Sequence, residues 1–229
     1  MMLTTAFVQA MLAHYFQNVD HANIGDAAGL QNSATAGSFW WALHTADPGD
    51  AGSQNTSEIA YTGYGRSQAT RSAAGFSIAS KNVSPASDVS FGKRTDAGAT
   101  VSAMFWSLGT DPTGAGNLLM RGAIGVTPAP FYAVTIDQIF SAGHGLSVND
   151  RVVFWAYEPG SLPTGITEGV VYWVNSIVSG DVFTFSLTQG GANVDVTANG
   201  QGLVQKVTPL DISLNMTPKL ETGTALKFQ

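Results

Sequence analysis

The chain has 229 residues, of which only 11% are charged, against about 25% in an ordinary globular domain. Its net charge of −6 and the scatter of its ten basic residues exclude a nucleic-acid backbone as the ligand, because neutralising phosphates takes clustered Lys and Arg. With no cysteine, the chain has neither a disulfide framework nor a thiolate metal site.

No apolar run approaches the length that spans a bilayer, and the start, MMLTTAFVQAML, lacks the basic region and the cleavage site of a signal peptide. A low charge density also removes much of the repulsion that keeps subunits apart. We therefore expect no membrane partner, synthesis and assembly in a cytoplasm, and a surface that is largely covered by partner subunits.

The first element is the one convincing helix of the sequence, in LTTAFVQAMLAHYFQN at residues 3–18. We expect Thr4 or Thr5 as its N-cap, since either hydroxyl can accept a hydrogen bond from a free amide of the first turn. The apolar residues form two adjoining rows, Phe7–Met11–Tyr15 and Val8–Leu12–Phe16. Such a broad apolar face predicts packing on a sheet of the same chain or on a neighbouring subunit.

From residue 38 onward the hydrophobic pattern has the period of β-strands. The alternating apolar sets are Phe39–Trp41–Leu43 in SFWWALHT, Val101–Ala103–Phe105 and Met104–Trp106–Leu108 in TVSAMFWSLGT, and Leu210–Ile212–Leu214 in LDISLNM. Patterns of this kind, bounded by Gly, Pro, Asn and Asp, are typical of half-buried antiparallel strands, and no strand–helix alternation favours a parallel sheet. We predict a mainly β fold, with an antiparallel β-sandwich or jelly-roll-like host domain and an N-terminal helix.

The middle of the chain is denser in short strands. They are predicted in PAPFYAV, DRVVFWAY, VVYWVNSIV, DVFTFSLT and ANVDVT, with turn signals between them. The simplest interpretation is a small β domain of residues 130–207, inserted into a discontinuous host domain of residues 1–129 and 208–229.

The segment HTADPGDAG contains His44, Asp47 and Asp50, which together could form a metal cluster or an acid–base set. The same letters also fit a turn, because an aspartate can bond to its own backbone, proline presets φ and Gly49 allows positive φ. No second histidine lies at ligand spacing, so we predict a turn. His144, between two glycines, is predicted to cap the loop before LSVNDRVVF, and His14 and His21 to serve packing or an interface.

No catalytic, cofactor-binding or metal-binding residue is predicted, since no nucleophile elbow, phosphate-binding glycine loop or HExxH motif occurs. Trp155, Tyr157 and Trp173 either pack in a core or interface or form a stacking platform for sugars. Adjacent strand residues face opposite sides, so one of Tyr172 and Trp173 is predicted to be core. The basic residues Arg66, Arg71, Lys93 and Arg94 either pair with a neighbouring subunit or are solvated charges.

Two parts of the sequence resemble known phage proteins. The stretch FWWALHTADPGDAGSQNTSEIAYTGYGRSQATRSAAGF, with the later WSLGTDPTGAGNLLMRGAI and TPKLETGTALKF, resembles a family of tailed-bacteriophage virion proteins, often labelled tail-fibre or minor structural proteins. The shared pattern is LHTADPG, then QxxSExxYTGYxR, then a GTxxxGAG turn. The resemblance covers residues 1–127 and 208–229.

The second resemblance lies in the predicted insert. FSAGHGLSVNDRVVFW, LPTGITEGVVYWVNSI and DVFTFSLTQGGANVDVTANGQGL are similar to a β module that recurs as an insertion in unrelated phage structural proteins. Its marks are AxHGLxxxDxVxF, LPxGxxxGxxYxV and DxFxxS. This chain departs from the pattern by having Trp155, Tyr157 and Trp173 where small or aliphatic residues are expected.

These resemblances imply a non-enzymatic component of the virion, without a cofactor, assembled in the cytoplasm of the infected bacterium. We expect a capsid decoration or cement protein that binds the major capsid protein or other virion subunits, as a homo-oligomer, with a trimer suiting threefold positions. The alternatives are a collar or tail-fibre appendage, and a receptor-binding module with a host-surface glycan as ligand. The candidate interaction residues are Phe7, Met11, Tyr15, Trp155, Tyr157 and Trp173.

Overall fold

A computed structural model describes residues 3–22, 24–25, 28–157, 161–222 and 226–227. It confirms a mainly β fold with an N-terminal helix, and each strand pairing in these residues is antiparallel. No helix of the described chain is long and apolar enough to cross a membrane.

Helix α1 spans Thr5–Gln17, and its N-cap is Thr4, whose hydroxyl accepts from the amide of Phe7 at 3.3 Å. The helix ends at Asn18, which adopts the left-handed conformation with φ 57°. Of the two predicted rows, Val8–Leu12–Phe16 is buried. The row Phe7–Met11–Tyr15 faces outward.

The strands of the host part are β1 Ser38–His44, β2 Ser67–Thr70, β3 Phe76–Ala79, β4 Asn82–Pro85, β5 Val89–Ser90, β6 Val101–Ala103, β7 Phe105–Gly109, β8 Leu118–Ala123, β15 Leu210–Ile212, β16 Lys219–Leu220 and β17 Leu226–Lys227. The strands between them are β9 Ala129–Val134, β10 Gln138–Phe140, β11 Arg151–Trp155, β12 Val171–Ser179, β13 Val182–Ser186 and β14 Gly200–Val207.

The host part is built around a four-stranded sheet in the order β2–β1–β7–β8. Three small sheets surround it, in the orders β15–β6, β16–β5 and β17–β4–β3. Its core joins the buried row of α1 to the inner faces of the sheets, with Trp41, Phe76 and Leu108 fully buried. Each large apolar side chain buried in this way contributes about 1.5–3 kcal/mol to folding, so α1 is held by its inner row.

The six strands from β9 to β14 close into a barrel in the order β10–β13–β12–β11–β14–β9, in which β9 pairs with β10. The barrel has its own core, which includes Phe154, Phe183 and Phe185. Its entry and exit lie side by side, because Gly125 forms a bridge with Val207 and the amide of Thr208 donates to the carbonyl of Ile124. That this unit is an inserted domain stays a prediction.

Three details of the predicted strands are wrong. TVSAMFWSLGT is not one strand, since the chain changes sheets at Met104, with β6 pairing with β15 and β7 pairing with β1 and β8. LDISLNM ends as a strand at Ile212, and Leu214 lies exposed in the turn that follows. ANVDVT forms only a bridge from Asn193 to Ser186, with the amide of Val194 donating to Phe185 of β13. Past the bridge, the amide of Val196 donates instead to the carboxylate of Asp137 at 2.7 Å.

Candidate functional site

His44 ends β1 with its imidazole fully buried. Its Nδ1 lies 2.9 Å from the carbonyl oxygen of Thr56, and its Nε2 lies 2.7 Å from Oγ of Ser107 on β7. Because a carbonyl oxygen only accepts, Nδ1 carries the proton and Nε2 accepts from the serine hydroxyl. Burial lowers the pKa of His44, which favours the neutral ring. His44 therefore links two strands of the central sheet, with both ring nitrogens engaged.

The two aspartates are not hydrogen-bonded to His44, and both pair with Arg121 of β8. Nη1 of Arg121 donates to Asp47, and Nη2 donates to Asp50 at 2.6 Å. Burial disfavours the charge of Arg121, but its hydrogen bond to Asp50 and the charge of Asp47 outweigh this and raise its pKa. The turn prediction is confirmed, since Gly49 has φ 73° and accepts from the amide of Gly52. Asp47 bonds to Arg121 rather than to its own turn.

This cluster joins the host part to the barrel. The guanidinium carbon of Arg121 lies 5.4 Å from the ring centroid of Trp155, at the end of β11. A Cβ added to Gly169 of the barrel would meet Oδ2 of Asp47 at 2.0 Å, so the carboxylate lies against that backbone. Trp155 also donates from Nε1 to Gln205 at 2.9 Å, and Gln205 donates to the carbonyl of Ala123 in β8. We call Asp47, Asp50, Arg121, Trp155 and Gln205 the joint.

A small apolar cluster completes the joint. Phe105 and Ala123 of the host sheet pack with Val153 and Val207 of the barrel. A cavity of about 940 Å³ opens beside this cluster, and its lining includes Arg121 and Trp155. Sequence reasoning missed the role of Arg121, although its single charge in the strand LLMRGA was the available signal. No pattern pointed to Gln205.

Arg66, Arg71 and Arg94 each form hydrogen bonds within the chain. They are therefore neither the solvated charges nor the partners of a neighbouring subunit that the sequence predicted. Arg66 makes a two-point pair with Glu58, at 2.8 and 2.7 Å. That hydrogen bonding raises the pKa of Arg66. Arg94 is buried and pairs with Asp96 at 2.7 Å. For Lys93 the prediction remains untested.

Arg71 closes the end of the helix. Its Nε donates to the carbonyl of Tyr15 at 2.7 Å, and its Nη2 donates to the carbonyl of His14 at 2.9 Å. The last carbonyls of a helix have no partner within the helix and carry partial negative charge, so a cation there is favourable. Arg71 also lies over the ring of Tyr15, 5.9 Å from its centroid. It therefore fixes α1 against the host sheet.

The other histidines have structural roles. Nδ1 of His144 accepts from the amide of Leu146 at 2.9 Å, which confirms it as the cap of its loop. The ring of His21 is buried and packs on Phe7, with 5.6 Å between centroids. His14 hydrogen-bonds to the carbonyl of Val19. Within the described residues, no group of three or more His, Asp or Glu could hold a metal ion.

The outer row of α1 is the clearest exposed apolar surface near the amino terminus. Phe7 is 37% exposed, and Met11 and Tyr15 are each 44% exposed. The helix sequence TAFVQAMLAHYFQ contains no Asp, Glu, Lys or Arg. The row is therefore apolar, and the helix that carries it has no acidic residue, lysine or arginine.

The three aromatic residues predicted for the insert lie apart. Trp155 belongs to the joint, at the end of β11, whereas Trp173 pairs with Arg151 at the start of that strand. The guanidinium of Arg151 lies 4.5 Å from the centroid of Trp173. Tyr157 lies in a separate cavity on the barrel. Tyr172 is the core residue of its pair with Trp173, as expected for neighbours on a strand.

A protein-family model described as podophage GP4 fiber I protein gp80 matches residues 3–129, more than half of the chain. The matched segment holds α1 and strands β1 to β8, and it ends where β9 of the barrel begins. Comparison with curated proteins and with solved structures gave no match.

Proposed function

The chain belongs to this family of podophage fibre proteins, and from that premise we propose that it is a subunit of a fibre or another tail appendage. It is a structural component of the virion, assembled in the infected bacterium. The family match over residues 3–129 is the observation that carries the proposal. The internal pairing of Arg66, Arg71 and Arg94 supports it, because these side chains stabilise a fixed shape.

The proposed role is non-enzymatic. His44 is buried and both ring nitrogens are engaged, while Asp47 and Asp50 pair with Arg121. A general base needs a ring nitrogen or carboxylate within reach of a substrate proton. These groups instead hold strands and the joint in place, which is the work of a structural subunit.

We further propose that the outer row of α1 contacts a second copy of the chain in a homotrimer. The row is exposed and apolar, and the helix itself has no Asp, Glu, Lys or Arg. Arg71 lies at the Tyr15 end of the row, where its guanidinium is bound to the carbonyls of His14 and Tyr15, so identical copies can meet at Phe7 and Met11 without repulsion between such charges. An uncharged apolar centre is also what distinguishes the core of a subunit interface from the rest of a surface.

Light scattering coupled to size-exclusion chromatography tests this contact. We expect a trimer of the wild-type chain at about 50 μM, and dissociation by Met11→Glu, because the new carboxylates would be buried together. Leu214→Glu is the matched control, since Leu214 is 47% exposed in a turn of the host part. A monomeric wild type, or a Met11→Glu variant that stays trimeric, overturns the proposed contact.

The second candidate is capsid decoration, which the low charge fraction of 11% favours as a neutral, partner-covered surface. The number of copies per particle, measured by quantitative mass spectrometry of purified particles, distinguishes a tail appendage from capsid decoration. A tail appendage made of trimers with low cyclic symmetry gives on the order of tens of copies or fewer per particle, whereas decoration of a head lattice gives on the order of hundreds. Copies in the hundreds would overturn the fibre assignment while leaving the family membership intact.

A further inference from the structure

The outer surface of the barrel carries a continuous row of side chains across four neighbouring strands. In the strand register, Gln201 of β14 lies opposite Tyr132 of β9, Tyr132 opposite Phe140 of β10, and Phe140 opposite Val182 of β13. The core of the barrel takes neighbours of three of these residues, Phe131 and Ala133 beside Tyr132, Ile139 beside Phe140 and Phe183 beside Val182, as the alternation of a strand requires. The row therefore lies on the outside of the barrel.

Two aromatic rings in this row form a flat stack. The rings of Tyr132 and Phe140 are 4.7 Å apart between centroids, with an interplanar angle of 6°. Tyr132 is 54% exposed, although stacking and burial both favour covering an aromatic ring. Tyr157 follows β11 by two residues and is 46% exposed. It lines one cavity together with Tyr132 and Phe140.

The cavity over this row has a volume of about 620 Å³, within the usual range of about 300–1,000 Å³ for small-ligand sites. Its polar lining includes Gln201 and Asp181. One carboxylate oxygen of Asp181 accepts from the amide of Gly143 at 2.7 Å, which fixes the group in place. Within the described chain, the other oxygen of Asp181 and the side-chain amide of Gln201 have no hydrogen-bond partner.

We propose that this surface, formed by Tyr132, Phe140, Tyr157, Asp181 and Gln201, is a binding site for a saccharide ring. A pyranose has a face of C–H groups, which packs on an aromatic ring, and a rim of hydroxyls. A carboxylate accepts from those hydroxyls, and an amide both donates and accepts. The five residues supply both kinds of contact within one cavity.

A protein partner fits the same surface less well. An interface of standard size buries about 800 Å² on each partner and has a dry apolar centre. Here the aromatic stack is flanked by a carboxylate and an amide that would lose water without a matched partner. Hydroxyls of a sugar satisfy both groups, so the mixed chemistry favours the saccharide.

The binding test uses the full chain on an array of oligosaccharides that contains hexoses, aminosugars and deoxysugars, followed by titration calorimetry on the best ligand. We expect Tyr132→Ala and Tyr157→Ala each to weaken binding at least about tenfold, as loss of an aromatic contact predicts. Tyr132→Phe, which keeps the stack, should bind far better than Tyr132→Ala. Asp181→Asn should weaken binding while the amide of Gly143 keeps its acceptor.

Trp173→Ala is the matched control, because Trp173 is an outer aromatic residue of the same barrel but lies beside Arg151. It should leave the affinity unchanged. Binding to no saccharide, or loss on Trp173→Ala with Tyr132→Ala unaffected, overturns the proposal. So does dissociation of an oligomer by Tyr132→Ala, since the surface would then be a subunit contact. The assay uses isolated protein, so its outcome is independent of where the chain lies in the virion.

Discussion

Removing the guanidinium of Arg66 tests whether the host part is held by an internal ion pair. The side chain of Arg66 is 2% exposed and that of its partner Glu58 is 17% exposed. Arg66 also donates to the carbonyls of Asp111 and Gly114, both at 2.8 Å, and to Asn55. One side chain therefore ties its own segment to two others, residues 55–58 and 111–114.

Arg66→Met keeps most of the volume but leaves the carboxylate of Glu58 without its cation. Breaking a buried pair from one side costs about 3–5 kcal/mol, because the remaining charge is uncompensated. In a chain of this length each kcal/mol shifts the Tm by about 2–4 °C, so the expected loss is about 6–20 °C. Tyr64, which donates to Glu58 at 2.9 Å, keeps part of the carboxylate satisfied and favours the lower half of that range.

A double-mutant cycle makes this prediction sharp. Glu58→Gln alone should also lower the free energy of unfolding, measured by thermal and urea unfolding. The double variant should lose clearly less of that free energy than the sum of the two single losses. Lys93→Met serves as a control for removing a cation from the same region. Additivity of Arg66→Met and Glu58→Gln within about 0.5 kcal/mol would refute the reasoning, since residues in direct contact must couple.

Two further predictions concern the joint and pH. Gly169→Ala should lower the free energy of unfolding by more than Gly190→Ala does. Both glycines have positive φ, but only a Cβ at Gly169 would meet the side chain of Asp47. Equal losses in the two variants would contradict the contact between Asp47 and the barrel. His44 has a lowered pKa through burial, so the unfolded chain takes up its proton first as pH falls below 6.5. The unfolding free energy should therefore fall by up to about 1.4 kcal/mol per pH unit there, levelling off below the folded pKa, and His44→Gln should remove that slope. An unchanged slope in the variant, measured by urea unfolding, would contradict the buried neutral ring.

Features set by local chemistry could be read from the sequence. The hydroxyl of Thr4 caps α1, and the alternation around Trp41 gives β1, because each depends on residues a few positions apart. A turn after His44 could also be read from its Gly-rich letters, although its hydrogen bond runs from Gly52 to Gly49 and Asp47 does not bond to its own backbone as predicted. The mainly β fold rests on such short-range patterns, whereas which of the two apolar rows of α1 packs on the sheets did not follow from them.

Features set by distant residues could not be read in this way. Arg66 meets Asp111, Arg94 meets Ile212 and Arg121 meets Asp47 only because the sheet order brings distant segments together. For that reason the sequence left Arg66 and Arg94 as either solvated charges or partners of a neighbouring subunit, and it gave Arg121 no role. The saccharide surface has the same origin, since Tyr132 and Gln201 become neighbours only in the barrel register.

The most direct test of the account is to locate and count this chain in purified particles, by cryo-electron microscopy with a labelled fusion and by quantitative mass spectrometry. The account predicts label on the tail or its fibres, with on the order of tens of copies or fewer, as trimers arranged with low cyclic symmetry give. Label spread over the head with on the order of hundreds of copies would contradict it and assign the chain to capsid decoration instead.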